Sequence, residues 1–321
     1  RTACAVVEGL GANAIGFNCG LGPKQMIPLV EELEKHASIP ILVMPNAGLP
    51  ESVNGKTIFN VDPDEFASYM TQIAKMGVSY LGGCCGTTPA HLKAMIEATK
   101  DIEDKVPEFK NETIVASYSK SVDLSEGAVI GERINPTGKK LMKEALRNKD
   151  MDYVLRQGIT QSEAGAHILD VNMGLPEIDE KEMLCSGVYE LQSVLPVPLQ
   201  LDSGDAEAME AALRLYNGKA MINSVNGKEK SMKEVFPLAK KYGGVVVCLC
   251  LDEDGIPSTA QGRIAIAKKI IKRAAEYGID KKNLAVDALV MTISTDTNNA
   301  IETLNAVDYI RNTLGVNTVL G

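Results

Sequence analysis

Short apolar runs alternate with helical patterns along most of this 321-residue chain, and this alternation limits its fold more than any other feature. From residue 128 onward, seven apolar runs mark the strands. They are AVIG (128–131), HILDVN (167–172), VPLQLD (197–202), AMINS (220–224), GVVVCLCL (244–251), LAVDA (284–288) and NTVL (317–320). Continuous apolar runs are typical of parallel strands buried on both faces. The pattern predicts an α/β fold, a (β/α)8 barrel of the TIM type without its final unit. A doubly wound open sheet is the alternative, although no GxGxxG or P-loop motif supports it.

The first hundred residues contain only three strand–helix units. Strands are predicted at 14–18, 39–44 and 78–83, with a loop over 45–60. Because a complete barrel needs roughly 250 residues, this part is predicted to be the last strands of a first barrel. Residues 101–127 are polar and charged, which favours a linker. The predicted domains are therefore 1–100, a linker at 101–127, and a truncated barrel at 128–321.

Charge and hydropathy exclude several classes of protein. The net charge is −9 and the pI about 5.1, which argues against a nucleic-acid surface. No apolar run approaches the roughly 20 residues of a transmembrane helix, and RTACAVVEGL does not resemble a signal peptide. We therefore expect a cytoplasmic protein with no membrane partner, in which cysteines are reduced or bind metal. Arg1 and the terminal TVLG lie within patterns, so both ends are interpreted as cut.

Three cysteines follow two of the predicted strands in the first part. Cys19 ends a strand in GFNCG, and Cys84 and Cys85 follow another in LGGCCGTTP. Parallel strands place such residues at the carboxyl end of a barrel, where active sites form. Three thiolates leave the fourth position of a tetrahedral zinc open for a thiol substrate. The alternative interpretation is that these small side chains simply pack beside the glycines.

Acid and amide side chains end five strands of the second part. They are Glu132 and Asn135 after the first strand, Asp170 and Asn172 at the second, Asp202 at the third, Asn223 at the fourth and Asp287 at the sixth. A single polar residue at a strand end is usually a cap, but five strand ends should converge on one barrel mouth. A pterin ring offers donors that carboxylates accept, and a carbonyl and ring nitrogens that amides can address. A phosphosugar site, which needs a glycine-rich helix N-terminus, stays open as an alternative.

The motifs GFNCG, PNAG and GGCCGTTPAHL resemble the end of the zinc-dependent homocysteine S-methyltransferase domain. This resemblance covers residues 1 to about 100. It implies that Cys19, Cys84 and Cys85 bind zinc and that the homocysteine thiolate is the fourth ligand. It also implies that Asn46, in PNAG, lies beside the metal or the homocysteine.

The motifs IGERINPTG, ILDVN, PLQLDS and INSVNG resemble the pterin-binding barrels of methionine synthases, dihydropteroate synthases and corrinoid protein methyltransferases. This resemblance covers about 128–321. It implies that Asp202, Asn223 and Asp287 hydrogen-bond the pterin. The same pocket would be lined by Glu132, Asn135, Asp170 and Asn172.

The two modules follow one another in the order found in cobalamin-dependent methionine synthases. The resemblance implies methyl transfer from 5-methyltetrahydrofolate, by way of cobalamin, to zinc-activated homocysteine. Cobalamin would be bound by other domains of the full-length chain, so we expect this piece alone to be inactive. Two alternatives remain: a corrinoid-dependent methyltransferase acting on another thiol, and a non-catalytic fragment.

Overall fold

The computed structural model describes residues 1–291 and 297–321, and the chain divides into two compact units. The first unit comprises residues 11–110 together with Arg1 and Ala3, and the second comprises 111–321 together with Thr2 and residues 4–10. Helix α1 (Thr2–Gly9) therefore belongs almost entirely to the second unit. None of the helices in the described part of the chain has the length and apolarity to cross a membrane.

The first unit is built on a three-stranded parallel sheet. Its strands are β1 (Ile15–Asn18), β2 (Ile41–Met44) and β5 (Tyr80–Leu81), in the order β1-β2-β5. The helices α2 (Pro23–His36), α3 (Pro63–Lys75) and α4 (Pro89–Thr99) follow these strands. Asp62 caps α3 as its sequence predicts, since its side chain accepts from the backbone N–H groups of Asp64 and Glu65.

The segment after β2 is not the simple loop that the sequence analysis predicted. It contains an antiparallel hairpin of β3 (Pro50–Val53) and β4 (Lys56–Phe59). The two residues between these strands, Asn54 and Gly55, have φ angles of 50° and 75°. Asn-Gly is a strong signal for this kind of tight turn because both residues tolerate positive φ. The signal was overlooked because the flanking strands are largely exposed and therefore not continuously apolar.

The segment predicted as a linker contains a second hairpin, which belongs to the second unit. Strands β6 (Ile114–Ala116) and β7 (Ser121–Asp123) pair antiparallel. The side chains of Val115 and Val122 are buried against apolar residues of the barrel strands. Residues 111–127 are therefore a packed element, whereas no strand or helix is assigned over 101–110.

The second unit is a seven-stranded parallel sheet. Its strands are β8 (Ile130–Ile134), β9 (Ile168–Asn172), β10 (Leu199–Asp202), β11 (Met221–Asn226), β12 (Val245–Leu249), β13 (Leu284–Asp287) and β14 (Asn317–Val319). They are hydrogen-bonded in strictly consecutive order. A doubly wound sheet would reverse its strand order at a switch point, so the consecutive order confirms the TIM-type barrel prediction.

Helices connect successive strands of the second unit. They are α5 (Lys140–Arg147), α6 (Met151–Glu163), α7 (Glu180–Val194), α8 (Ala206–Leu215), α9 (Glu229–Tyr242), α10 (Ala260–Glu276) and α11 (Thr297–Asp308), the last continued by a π-helical turn at Tyr309–Thr313. Alternate strand residues such as Leu169 and Leu201 pack in the large core cluster with the helices. The intervening residues, such as Ile168 and Met221, form a separate cluster inside the sheet.

Strand β8 begins two residues later than predicted and extends through Ile134. The apolar run AVIG ends before Glu132 and Arg133, which are exposed. Because β8 is an edge strand within the described sheet, it accommodates charged side chains that a central strand would exclude.

Candidate functional sites

The three predicted thiols of the first unit lie together. Cys19 Sγ is 3.7 Å from Cys85 Sγ, and Cys84 Sγ is 3.9 Å from Cys85 Sγ. All three sulfurs lie within 4.8 Å of one another. A tetrahedral zinc with Zn–S bonds of about 2.3 Å would separate two sulfurs by about 3.8 Å. The spacing of the thiols therefore fits a shared zinc ion.

The backbone turns at each cysteine bring the thiols to one point. Cys19 follows β1 and has a φ of 62°, a left-handed backbone conformation that few residues other than glycine adopt. Cys84 and Cys85 lie in the irregular loop after β5, as the adjacent thiols require. Two hydrogen bonds fix this loop to the segment after β2: Cys84 N–H donates to Pro45 O over 2.8 Å, and Ala47 N–H donates to Cys85 O over 2.9 Å.

Asn46 lies against the thiols and is 3% exposed. Its Oδ1 accepts from the backbone N–H of Cys85 over 3.1 Å. A hydrogen bond between the Asn46 side chain and Cys19 is among the contacts that lower the pKa of the Cys19 thiol. The side chain therefore contacts the thiol cluster directly. Its predicted contact with homocysteine stays a prediction.

The electrostatics of the cluster favour a cation. The backbone N–H of Gly20 and then the neighbouring thiols lower the pKa of Cys19. Hydrogen bonds and charge from Cys19 and Cys84 raise the pKa of Cys85 to about 11. Ionisation of one thiol thus disfavours ionisation of the next, and a divalent cation would relieve that repulsion.

Two contacts that support this loop were not identified from the sequence. His91 is 7% exposed; its Nδ1 accepts from the Thr88 N–H, and its Nε2 lies 2.9 Å from Val61 O. These contacts tie the start of α4 to the segment after β4. Gly86 has a φ of 80°, and a Cβ at this position would overlap the ring of Phe59. The motif GGCCG hinted at the second support, because glycine allows both the left-handed turn and the close approach.

In the second unit, three predicted residues form one layer at the level where β9 and β10 end. Asn172 and Asp202 are the last residues of those two strands. Asn223 lies within β11, which continues to Asn226 and is longer than the predicted strand 220–224. The strand register places Asp202 beside Asn172 on one side and beside Asn223 on the other. Asn172 Nδ2 donates to Asp202 Oδ2 over 2.9 Å. Burial is the main cause that raises the pKa of Asp202, and nearby Glu180 and Glu132 contribute in the same direction.

Asp170 lies one layer below these residues and is 2% exposed. Gln200 Nε2 donates to its Oδ1 over 2.5 Å. Burial, together with the charge of Asp202, raises the pKa of Asp170 to about 7, while hydrogen bonds from Gln200 and Asn223 act in the opposite direction. This carboxyl group is therefore neutral in part of the molecules near physiological pH.

Asp287 ends β13, and its Oδ1 accepts from the Leu289 N–H over 2.7 Å. Burial raises its pKa, whereas this backbone hydrogen bond and the charge of Arg263 lower it. Arg263 is fully buried and donates to neutral oxygens of Pro257, Thr303 and Asn299. It escaped the sequence analysis because a lone arginine in a helix is ordinarily exposed.

The remaining two predicted residues have local partners. Glu132 is exposed, and its Oε2 pairs with Lys139 Nζ over 2.9 Å. Its charge still raises the pKa of both Asp170 and Asp202, so it lies within electrostatic reach of the strand-end layer. Asn135 is 9% exposed, and its Oδ1 accepts from the Thr137 N–H over 2.8 Å. This hydrogen bond stabilises a local turn, and it does not indicate which ligand Asn135 would contact.

Comparisons with known proteins match each part of the chain to a different family model. Residues 1–99 match homocysteine S-methyltransferase, and residues 131–321 match pterin binding enzyme. The fold of the second part is similar to a dihydropteroate synthase from Xanthomonas albilineans in complex with indole-2-carboxylic acid and 6-chloroguanine. That similarity has a TM-score of 0.51 and 20% identity, and it covers 65% of this chain and 77% of the other.

Two curated proteins match nearly the whole chain. The methionine synthase of Mycobacterium tuberculosis is 34% identical and that of Mycobacterium leprae is 33% identical, each over 96% of this chain. The chain spans 27% of the length of either relative. The resemblance to methionine synthases is thus confirmed for a segment of such proteins. The pterin binding enzyme model matches more than half of this chain, and the chain therefore belongs to that family.

Proposed function

We propose that this chain carries two substrate-binding domains of a cobalamin-dependent methionine synthase. Such an enzyme transfers a methyl group from 5-methyltetrahydrofolate to homocysteine. One observation carries the proposal: a thiol triad with the spacing of a zinc site precedes, in the same chain, a barrel with acid and amide groups at its mouth. The domains we propose are residues 1–100 for homocysteine and 128–321 for the pterin. Residues 101–127 lie between them in the chain, and their β6–β7 hairpin packs on the second unit. A cytoplasmic location is part of the proposal.

In the first unit, Cys19, Cys84 and Cys85 would hold zinc and leave one position for the homocysteine sulfur. Zinc, when bound, would lower the pKa of a substrate thiol and keep it as a nucleophilic thiolate near neutral pH. Asn46 orients the backbone of Cys85 through its Oδ1. We propose that it also contacts the substrate, because its buried side chain lies against both Cys85 and Cys19.

In the second unit, the carboxylates of Asp170, Asp202 and Asp287 would accept the N–H donors of the pterin. The amides of Asn172 and Asn223 would fix those carboxylates and bond to the ring. The register of one parallel sheet places Asn172 and Asn223 on either side of Asp202, which supports a common pocket. Glu132 and Asn135 complete the proposed pocket. The charge of Glu132 acts on Asp170 and Asp202, whose pKa values it raises.

The methyl group must travel between two separate units, and the proposed carrier is cobalamin on another domain of the full-length protein. Transfer from N5 of the folate also requires proton delivery near that nitrogen, which makes the amine a better leaving group. A different thiol in place of homocysteine is the second candidate, since the triad by itself does not select the rest of the substrate.

The pterin half of the proposal is tested by the affinity for 5-methyltetrahydrofolate. Asp202→Ala should weaken binding by about 1–3 kcal/mol, because it leaves a ligand donor and the Asn172 amide without their acceptor. Isothermal titration would measure this on the full-length protein. Asp152→Ala is the matched control, since Asp152 is exposed on α6.

Equal affinities for the Asp202 and Asp152 variants would show that the pocket is wrongly assigned. Methyl transfer to homocysteine and to other small thiols, assayed on the same full-length protein, separates the two candidate substrates. Faster transfer to another thiol would replace homocysteine in the proposal and leave the pterin assignment standing.

A further inference from the structure

A buried glutamine lies beneath the strand-end layer of the second unit. Gln200 is 6% exposed and stands beside Asp170 in the β9–β10 register. Its Nε2 donates to Asp170 Oδ1, but its Oε1 is buried and has no hydrogen-bond partner within residues 1–291 and 297–321. Such unpaired buried acceptors are rare in folded proteins and call for a specific explanation.

The surroundings of Gln200 do not require an amide. Its other neighbour in the sheet register is Met221, which is 1% exposed and belongs to the apolar cluster inside the sheet. A methionine or leucine at position 200 would pack there without leaving a polar atom unpaired. Within the described part of the chain, the Gln200 side chain forms a hydrogen bond with the Asp170 carboxyl group and with no other group, so we assign its amide to Asp170.

Asp170 is the group near Gln200 that can change its charge under physiological conditions. It is affected by Asp202 on β10 and Glu132 on β8, and Glu180 of α7 in turn affects Asp202. Glu132 is itself paired with Lys139. Because burial and Asp202 raise the pKa of Asp170 to about 7, both the carboxylate and the neutral acid occur near neutral pH.

On the basis of the proposed pterin-binding function, we propose that Gln200 is a positioning residue that bonds to Asp170 in both of its protonation states. It donates to the carboxylate through Nε2, as the structure shows. A half-turn of its terminal torsion brings Oε1 to the same place, where it accepts from the O–H of the neutral acid. Only the Asp170 O–H bond forms or breaks, and its proton is exchanged with water.

This role of Gln200 predicts how the affinity for the pterin changes with pH. A pterin offers N–H donors to the pocket, so it binds best when Asp170 is ionised. Affinity should therefore fall as the pH decreases through the pKa of Asp170 and should level off above it. Gln200→Met removes a donor that lowers this pKa, so the midpoint of the profile should move to higher pH.

The test is the pH profile of 5-methyltetrahydrofolate affinity, measured by titration calorimetry between about pH 6 and about pH 8.5 on the full-length protein. For Gln200→Met we expect binding about three- to tenfold weaker at pH 7 and nearly equal to the parent at the alkaline end. Asp170→Asn should abolish the dependence. Leu201→Met, on the opposite face of the same strand, is the control and should leave the profile unchanged.

Three results would overturn the inference. Equal weakening of the Gln200 variant at every pH would show a structural role only. An unchanged profile in either the Gln200 or the Asp170 variant would show that this pair does not set the dependence. The absence of any 5-methyltetrahydrofolate binding by the parent protein would instead contradict the proposed function on which the inference rests.

Discussion

At the scale of single residues, the thiol site depends on backbone conformations that are costly elsewhere. Cys19 adopts a positive φ of 62°, which costs an L-residue roughly 1–2 kcal/mol. Gly20 and Gly86 follow Cys19 and Cys85 with φ angles of 74° and 80°. These turns direct three sulfurs from two strand ends toward one another, and packing of the surrounding loops must offset the strain.

The order of residues predicts part of this arrangement and not the rest. The positions of Cys19, Cys84 and Cys85 after strands predicted that the thiols converge, because parallel strands end on the same side of a sheet. The contact from Asn46 Oδ1 to the Cys85 N–H was not predicted, since it depends on how the loop after β2 bends. The Gln200–Asp170 pair was missed because a glutamine within a strand carries no signal of its own.

Gly86→Ala should impair the thiol site without touching a thiol. The added Cβ would overlap the Phe59 ring and disfavour the positive φ, so the loop carrying Cys84 and Cys85 must shift. We expect zinc affinity to fall by about ten- to a hundredfold, equivalent to about 1.4–2.8 kcal/mol. Competition with a chromophoric chelator would measure the change.

The control for this prediction is Gly55→Ala in the β3–β4 turn. Gly55 also has a positive φ of 75°, but a Cβ there meets no atom within 4 Å. It therefore reproduces the backbone strain without the overlap. If both variants retained the zinc affinity of the parent, the contact between Gly86 and Phe59 would have no part in shaping the site.

At the scale of elements, the β6–β7 hairpin is fixed to the barrel by a buried tyrosine. Tyr216 Oη accepts from the Leu199 N–H over 3.0 Å and donates to Ala116 O over 3.0 Å. The backbones of Ala116 and Lys219 also exchange hydrogen bonds of 2.9 and 2.8 Å. The polar composition of 101–127 concealed this element, because its two strands are only three residues long each.

Tyr216→Phe should destabilise the second unit. The substitution leaves the Leu199 N–H buried without an acceptor, which costs about 1–3 kcal/mol of unfolding free energy. Urea denaturation followed by circular dichroism would measure the loss. Tyr189→Phe is the matched control, since Tyr189 is 60% exposed. A Tyr216 variant as stable as the Tyr189 variant would contradict the role assigned to this hydroxyl.

At the scale of the whole molecule, the repeating strand–helix rhythm predicted most of the architecture. The seven predicted strands are all present, and they pair in chain order. This succeeded because parallel strands buried on both faces leave a continuous apolar signature. The rhythm does not distinguish one barrel chemistry from another; the strand-end residues and the thiol motif carry that information.

The zinc content per chain shows whether Cys19, Cys84 and Cys85 form the proposed zinc site. The parent protein and Cys84→Ser would be compared, with Cys185→Ser as the control because Cys185 lies on α7 of the second unit and does not belong to the triad. The proposed site predicts about one zinc per chain in the parent and the Cys185 variant, and a loss of zinc in the Cys84 variant. Full zinc in the Cys84 variant, or none in the parent protein, would contradict it.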